Sequence, residues 1–215
     1  MSVWTVVVAA GSGRRFGAPK QFARLGGRLM VQWALDAARS ASDGVVLVLP
    51  PSPEGPDADG AGAGDADVVV AGGTTRAASV RAGLAAVPAS AEVIVVHDGA
   101  RPLASPALFR CVVDAVAAGA AAAVPALAVS DTLKRVEGDV VIATVERDGM
   151  VAVQTPQAFR ADVLRRAHLD DCDATDDSAL VESLGVSVRV VPGEPRNIKV
   201  TTAADLEMAQ ALAAS

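Results

Sequence analysis

Residues 5–16 read TVVVAAGSGRRF, and this stretch already indicates the type of sheet. Residues 5–9 form an almost entirely apolar run of strand length, which predicts a buried β-strand. Small residues and glycines follow at once, and two arginines come after them. A strand that ends in glycines lets backbone N–H groups approach a phosphate chain without interference from Cβ atoms. The stretch therefore predicts an α/β protein with a phosphate site after its first strand.

Strands and helices alternate along the rest of the chain. Apolar runs predict further strands at residues 44–49, 68–70, 93–96, 121–125 and 187–191. Apolar residues spaced three and four apart predict three amphipathic helices. The first has the apolar residues Val31, Ala34, Leu35 and Ala38, the second has Val80, Leu84 and Val87, and the third covers residues 108–116. All-apolar strands separated by helices are typical of a mostly parallel sheet covered on both faces. We therefore expect a single α/β domain over residues 1–215.

Two segments depart from this alternation. Residues 50–67 are almost entirely Pro, Gly, Ala and Asp, which predicts a flexible surface loop. Residues 128–153 contain the segments SDTLKRV and VVIATVER around a Glu-Gly-Asp turn, which predicts a protruding β-hairpin arm. A hairpin that does not bury itself on its own domain usually packs on a partner chain. We therefore expect an oligomer.

Composition excludes several classes of function. The formal net charge of −6 argues against binding of nucleic acid polymers or anionic membranes. No run of eighteen apolar residues is present, and Met1, Ser2, Val3 and Trp4 lack the basic start of a signal peptide. The sequence predicts a cytoplasmic protein that holds any phosphate ligand by a few placed cations and backbone N–H groups.

In parallel α/β sheets, ligands bind beyond the carboxyl ends of the strands, so we expect the chemistry near Gly11, Gly73 and Asp98. The first loop adds Arg15 and Lys20, whose charges suit a phosphate chain and its transition state. The loop is not a Walker motif, because Gly-Lys-Ser/Thr is absent, and it lacks the third glycine of a dinucleotide fingerprint.

The second loop reads GGTTR at residues 72–76, and Ser79 lies one helical turn further on. This arrangement suits recognition of a base by backbone groups and one hydroxyl. The alternative interpretation is an ordinary turn between a strand and a helix, with Arg76 exposed to solvent.

The third loop reads HDGARP at residues 97–102. Asp98 could hold Mg²⁺ or a substrate hydroxyl, and Arg101 could bind a phosphate. The alternative for Asp98 is a turn-forming role, and His97 is interpreted as a packing residue. The acidic stretch at residues 170–177 matches no calcium loop and is interpreted as a hydrated helix end.

The order of the motifs resembles one enzyme family. AAGSGRRF, PKQ, GGTTRAASV, HDGARP, SDTLKRV, VERDGM, QTPQAF, ATDDSALVE and RNIKVTT occur as in the 2-C-methyl-D-erythritol 4-phosphate cytidylyltransferases of the non-mevalonate isoprenoid pathway. The resemblance covers nearly the whole chain. It implies a Rossmann-like nucleotidyltransferase domain and a homodimer with exchanged β-arms. It also implies that CTP and 2-C-methyl-D-erythritol 4-phosphate react, with Mg²⁺, to give 4-diphosphocytidyl-2-C-methyl-D-erythritol and pyrophosphate.

The resemblance also implies a role for individual residues. The residues that would bind CTP are Ala9, Ala10, Gly11, Gly13, Gly73, Thr74, Ser79 and Ala100. Those that would act in catalysis are Arg15, Lys20, Arg147 and Lys199, and those that would bind the sugar phosphate are Asp98, Arg101, Thr132, Arg147 and Lys199. Asp98 would also be the metal ligand. Thr132 and Arg147 would reach in from the partner subunit, which gives the arm a purpose.

Two alternatives stay open on the sequence. A ribitol 5-phosphate cytidylyltransferase would have the same nucleotide half, and the arm and the Lys199 region alone would distinguish it. A non-catalytic nucleotide-binding subunit would have lost Arg15 or Lys20, and both are present.

Overall fold

The computed structural model describes residues 1–11, 16, 22–51, 64–169, 174 and 176–214. Its strands are β1 (Val3–Val8), β2 (Arg24–Leu25), β3 (Arg28–Leu29), β4 (Gly44–Leu49), β5 (Val68–Ala71), β6 (Val93–Asp98), β7 (Ala122–Ala128), β8 (Leu133–Glu137), β9 (Val140–Val145), β10 (Val151–Val153), β11 (Gln157–Arg160) and β12 (Val188–Pro192). Its helices are α1 (Met30–Arg39), α2 (Arg76–Ala86), α3 (Pro106–Ala117), α4 (Ala161–Ala167), α5 (Asp177–Ser183) and α6 (Ala203–Ala214).

The main sheet is mixed but mostly parallel. Its strand order is β10-β7-β11-β6-β1-β4-β5, and β12 pairs with β7. β1 runs parallel to β4 and β6, β4 parallel to β5, and β12 parallel to β7. β11 lies antiparallel between β6 and β7, and β10 is antiparallel to β7. The expected α/β class is confirmed. The two antiparallel strands were not predicted, because they are short and show no apolar run of strand length.

Both faces of this sheet are covered, as the all-apolar strands predicted. Successive strand side chains point to opposite faces, and Val6 and Val7 are both fully buried, in two different clusters. The cluster with Val7 contains Leu35 of α1 and Phe109 of α3. The cluster with Val6 is completed by side chains of α2, α4 and α5. The two apolar clusters pack against the two faces of the sheet, and the loops that follow the parallel strands lie along the carboxyl edge of the sheet. Within the described ranges, no helix has the length and apolar character needed to cross a membrane.

The arm is a two-stranded antiparallel hairpin of β8 and β9, as predicted, with Gly138 at a φ of 59° in its turn. Nearly all of its side chains are exposed. They include apolar ones, with Val140 61% and Ile142 47% exposed. Exposed apolar side chains grouped on one hairpin are typical of an interaction surface.

The start of helix α6 fixes the segment that precedes it. The Asp205 carboxylate accepts hydrogen bonds from the N–H groups of Thr201 and Thr202 and from the Thr201 hydroxyl, at 2.6–2.8 Å. The Thr201 hydroxyl and N–H are the main reasons that the pKa of Asp205 falls to about 2. Lys199 lies just before this cap.

Candidate active site

Asp98 is the last residue of β6, and its carboxylate is paired with two cations. Lys199 donates from Nζ to Oδ2 at 2.6 Å, and Arg76 donates from Nε to Oδ1 at 3.3 Å. Burial alone would raise the pKa of Asp98. The charges of Arg76 and Lys199 outweigh that effect and hold the pKa well below its ordinary value. Asp98 is therefore a permanent carboxylate beside a half-exposed ammonium group, at the edge where ligands of α/β sheets bind.

Arg76 continues the pairing into the interior. It is the first residue of α2, and its Nη2 forms an ion pair of 2.8 Å with Oδ2 of Asp177. Asp177 in turn accepts from His168 Nε2 at 3.0 Å. Burial lowers the pKa of Arg76, but the charges of Asp177 and Asp98 outweigh burial and raise it. The alternative interpretation, in which Arg76 is exposed to solvent at an ordinary turn, is therefore wrong. The interpretation of residues 170–177 as a hydrated helix end is wrong for Asp177, which is only 1% exposed.

His97 fixes the backbone of the Asp98 loop and does not act as an acid or base. Its Nε2 lies 3.1 Å from the carbonyl of Arg101, which can only accept, so Nε2 carries the proton. Its Nδ1 then accepts from the Thr155 hydroxyl at 3.2 Å, and that hydroxyl accepts the Asp98 N–H at 3.0 Å. Burial lowers the pKa of His97 to about 4, so the ring is neutral at pH 7. Its interpretation as a packing residue is confirmed, and its ring packs against Phe109 at 4.9 Å.

Lys199 is brought to Asp98 by a network around Asn197. Arg101 donates from Nη1 to the Asn197 carbonyl at 2.7 Å, and the Val200 N–H donates to the Ala100 carbonyl at 2.8 Å. The fully buried Asn197 amide donates to the Thr155 carbonyl at 2.8 Å. Burial lowers the pKa of Arg101, and the nearby Asp98 charge opposes that change. Arg101 and Ala100, both predicted as ligand contacts, thus also join the two segments that form the site.

The two glycine loops pack closely on each other. A Cβ atom added to Gly72 would lie 2.4 Å from the Cβ of Ala10, so only glycine fits there. The buried Ser79 hydroxyl donates to the Thr75 carbonyl at 2.9 Å and accepts the Gly73 N–H at 3.2 Å. Ser79 therefore shapes the turn that the sequence assigned to base recognition. Its predicted contact with a nucleotide stays a prediction, as does that of Thr74, which is exposed.

The predicted site residues fall into three groups. Ala9, Ala10, Gly11, Gly73, Ser79, Asp98, Ala100, Arg101 and Lys199 lie on loops at the carboxyl ends of β1, β5 and β6 or on segments packed against them. Thr132 and Arg147 lie exposed on or beside the arm, where Arg147 donates to the Ser130 carbonyl. Gly13, Arg15 and Lys20 lie outside the described residues, as does most of the predicted loop at residues 50–67.

The sequence did not assign Arg76, Thr155 or Asn197 to the site, although each has a signal. Arg76 directly follows the GGTT turn, Thr155 lies in QTPQAF, and Asn197 is two positions before Lys199. A polar residue in such a motif is a candidate for the ligand-binding edge of the sheet. Nothing in the sequence places them side by side, because their partners are 22 to 58 positions away.

The described residues do not form a ready cation cage. No three His, Cys, Asp or Glu side chains cluster as metal ligands in the part of the chain that the structure describes. Both oxygens of Asp98 are engaged by cations. The Mg²⁺ ligand role of Asp98 thus stays a prediction, and its ion pair with Lys199 would have to open for it. Mg²⁺ in nucleotide sites is commonly held by one or two carboxylates together with substrate phosphates and water.

Comparison with known proteins relates the whole chain to one family. Residues 3–215 match the 2-C-methyl-D-erythritol 4-phosphate cytidylyltransferase family. The protein of that name from Frankia casuarinae is 44% identical over 216 residues, which cover 99% of this chain and 81% of the relative. The crystal structure of the enzyme of that name from Thermus thermophilus superposes with a TM-score of 0.83 at 39% identity, and the match covers 100% of this chain and 99% of that one. A bifunctional enzyme from Solidesulfovibrio magneticus is 44% identical over 96% of this chain, which spans 56% of that relative.

Proposed function

The chain belongs to the 2-C-methyl-D-erythritol 4-phosphate cytidylyltransferase family, and we propose that it joins CTP to 2-C-methyl-D-erythritol 4-phosphate in the cytoplasm. The products are 4-diphosphocytidyl-2-C-methyl-D-erythritol and pyrophosphate. The observation that carries the proposal is the pair of Asp98 and Lys199, 2.6 Å apart, next to Arg101 and beyond the carboxyl end of a parallel strand. This is a site for a polyol that carries a phosphate, because a carboxylate can accept from hydroxyls while two cations bind the phosphate oxygens.

The nucleotide occupies the edge formed by the glycine loops. An added Cβ at Gly11 would meet no atom of the described residues within 4 Å, which leaves space beside its α-carbon. That space takes the triphosphate, and Gly13, Arg15 and Lys20 are assigned to the same ligand from the motif in which they occur. The turn held by Ser79 presents Gly73 and Thr74 to the cytosine, with Ala9, Ala10 and Ala100 lining the rest of the pocket. The charges of Arg15 and Lys20 neutralise the transition state.

The reaction is an in-line attack by a phosphate oxygen of the sugar phosphate on the α-phosphorus of CTP. A new P–O bond forms to the α-phosphorus, and the bond to the β-phosphate oxygen breaks, so pyrophosphate leaves with the electron pair. No general base is required, because a phosphate monoester is already ionised at neutral pH. This matches a site in which the nearest imidazole, His97, is buried and neutral. Lys199 and Arg101 hold the nucleophilic phosphate in line, which is the main catalytic demand of such a transfer.

The arm makes the active unit a homodimer with exchanged β-arms. Its exposed apolar side chains, among them Val140 and Ile142, need a covering surface. In the described part of this chain, Thr132 and Arg147 form no hydrogen bond or ion pair with Asp98, Arg101 or Lys199. Both residues are exposed and free to approach a second copy. Each site then combines Asp98 and Lys199 of one subunit with Thr132 and Arg147 of its partner.

Mg²⁺ is the cofactor in this proposal, and it would be held mainly by the phosphates of CTP near Asp98. Its chemistry there is neutralisation of the charge that develops on the phosphate oxygens. The residues of this chain supply the orientation of both substrates.

Pyrophosphate release tests the substrate assignment. The protein is incubated with CTP and Mg²⁺, and 2-C-methyl-D-erythritol 4-phosphate and ribitol 5-phosphate are offered separately. We expect release with the former. Release with ribitol 5-phosphate alone would keep the nucleotide site and move the protein to the other substrate. Tight CTP binding without release in either reaction would identify a non-catalytic nucleotide-binding subunit.

A further inference from the structure

A line of alternating charges runs from the substrate edge into the protein. Lys199 pairs with Asp98, Asp98 with Arg76, and Arg76 with Asp177, at 2.6, 3.3 and 2.8 Å. His168 closes the line at 3.0 Å from Asp177. The side chain of Lys199 at one end is 41% exposed, and that of Asp177 near the other end is 1% exposed. One end therefore meets the ligand, and the other end is fixed in the core.

Asp177 is held firmly at the buried end. It is the first residue of α5, and the preceding Asp176 caps that helix by accepting the Ala179 N–H at 3.0 Å. Asp176 also accepts from the Gln157 amide at 2.9 Å, and Gln157 belongs to β11 in the middle of the sheet. The backbone of Asp177 is thus anchored next to a residue that bonds to the sheet, and its carboxylate accepts from His168.

The geometry assigns Arg76 a divided role that depends on Asp177. A guanidinium can bind a carboxylate through two parallel N–H groups, and Arg76 offers Asp98 only Nε, at 3.3 Å. Its Nη2 lies 2.8 Å from Oδ2 of Asp177, as an ion pair. If Asp177 lost its charge, both Arg76 donors would turn to Asp98, which is the one remaining anion on the line. Asp98 would then bind Arg76 in preference to Lys199, and Lys199 would leave its place.

We propose that Asp177 is a positioning residue, which restrains Arg76 and thereby keeps Asp98 and Lys199 paired in the geometry that binds the sugar phosphate. The proposal rests on the proposed function, because it takes Asp98 and Lys199 as substrate contacts. It assigns Asp177 its main effect on the sugar phosphate, since the residue's links lead through Arg76 and Asp98 to Lys199.

The test compares Asp177→Asn in two backgrounds, the natural chain and Arg76→Gln. In the natural chain we expect the KM for the sugar phosphate to rise about tenfold and the KM for CTP to change less than about twofold. In the Arg76→Gln background, Asp177→Asn should add less than about twofold, because the residue through which it acts is no longer charged. The same factor in both backgrounds would overturn the proposal.

Asp176→Asn is the matched control, because it changes the neighbouring carboxylate and keeps a good helix cap. We expect its KM values to stay within about twofold of the natural ones. If Asp177→Asn does not fold, Arg76→Lys replaces it. A single ammonium cannot bridge two carboxylates as a guanidinium does, so the KM for the sugar phosphate should rise by a similar factor. An unchanged KM in folded Arg76→Lys would overturn the proposal.

A second measurement does not depend on turnover. The rate at which an amine-directed acetylating reagent modifies Lys199 is followed by peptide mass spectrometry, with Lys134 on the arm as internal reference. Release from Asp98 should make Lys199 react several times faster in Asp177→Asn, while Lys134 is unchanged. Equal Lys199 rates would overturn the positioning role. Absence of activity in the natural protein, with the rate difference intact, would instead overturn the proposed function.

Discussion

Lys199 and Asp98 lie 101 positions apart in the sequence, and their side chains meet at 2.6 Å at the carboxyl edge of the sheet. The contact exists because two hydrogen bonds hold the segment around Asn197 against the Asp98 loop. Arg101 donates to the Asn197 carbonyl, and the Val200 N–H donates to the Ala100 carbonyl. Its two cationic partners hold the pKa of the buried Asp98 carboxylate well below its ordinary value, so the carboxylate is charged at neutral pH. The edge therefore has a fixed anion with a half-exposed ammonium group beside it, which is suited to a ligand with hydroxyls and a phosphate.

Lys199→Gln should lower kcat/KM for the sugar phosphate about 100-fold, because it removes a cation that holds the phosphate in line. The side chain is 41% exposed, so the midpoint of thermal unfolding should change little. Lys134→Gln is the control, since Lys134 is exposed on the arm and donates only to Thr144. Steady-state kinetics with saturating CTP measure the effect. A Lys199→Gln enzyme as active as the Lys134→Gln enzyme would remove Lys199 from the site.

The buried neutral His97 predicts a pH dependence of stability. Its folded-state pKa of about 4 lies below the ordinary value of 6.5, so the unfolded chain binds the proton more tightly. This contribution is fully present above pH 6.5 and is lost as the pH falls toward 4. Between pH 7.5 and 5 it should cost about 2 kcal/mol of the free energy of unfolding.

Urea unfolding at the two pH values measures that loss, and His97→Gln is the comparison. A side chain that does not titrate should give a smaller difference between pH 7.5 and pH 5. The same slope in both proteins would mean that another group is responsible.

Two glycines of the nucleotide edge should respond differently to alanine. Gly72→Ala places a Cβ 2.4 Å from the Cβ of Ala10, so the two loops must separate and the thermal midpoint should fall. In Gly11→Ala the added Cβ meets no atom of the described part of the chain within 4 Å, so stability should be kept while the KM for CTP rises about tenfold or more. Calorimetry and kinetics on both variants check this. An unchanged KM for CTP in Gly11→Ala would place the triphosphate elsewhere.

Arg147→Ala should abolish most of the turnover without unfolding the subunit, because the residue is exposed. Lys20→Ala should do the same. A mixed dimer of the two variants, isolated with two different tags, should regain one intact site and about half of the natural activity per dimer. A mixed dimer that stays inactive, although its arms are shown to exchange, would refute the contribution of Arg147 in trans.

The sheet and the first helices could be predicted because their signals are local. The bounds of β4 agree with the apolar run at residues 44–49, and all four apolar positions assigned to the first helix are buried in α1. The hairpin arm could be predicted from its turn residues and from the two segments of strand length beside them. These features depend on periodicity and turn residues, which a single sequence contains.

The charged line could not be predicted, because the links from Lys199 through Asp98 and Arg76 to Asp177 join distant parts of the chain. The sequence around Arg76 indicates an arginine in a turn, and its partner Asp177 belongs to α5, far along the chain. Asp177 stands in an acidic stretch, and such a stretch indicates a hydrated segment. Helix α5 itself is only seven residues long, and β11 is only four, so neither has a clear period. Tertiary packing alone turns these polar residues inward.

The most direct test of the account uses ³¹P NMR on the natural protein with CTP, Mg²⁺ and 2-C-methyl-D-erythritol 4-phosphate whose phosphate oxygens carry ¹⁸O. Attack by the substrate phosphate on the α-phosphorus predicts a diphosphate product that keeps all of the label, with one labelled oxygen in the bridge, and unlabelled pyrophosphate. Labelled pyrophosphate, or no coupled diphosphate signals from active, folded protein, would contradict it.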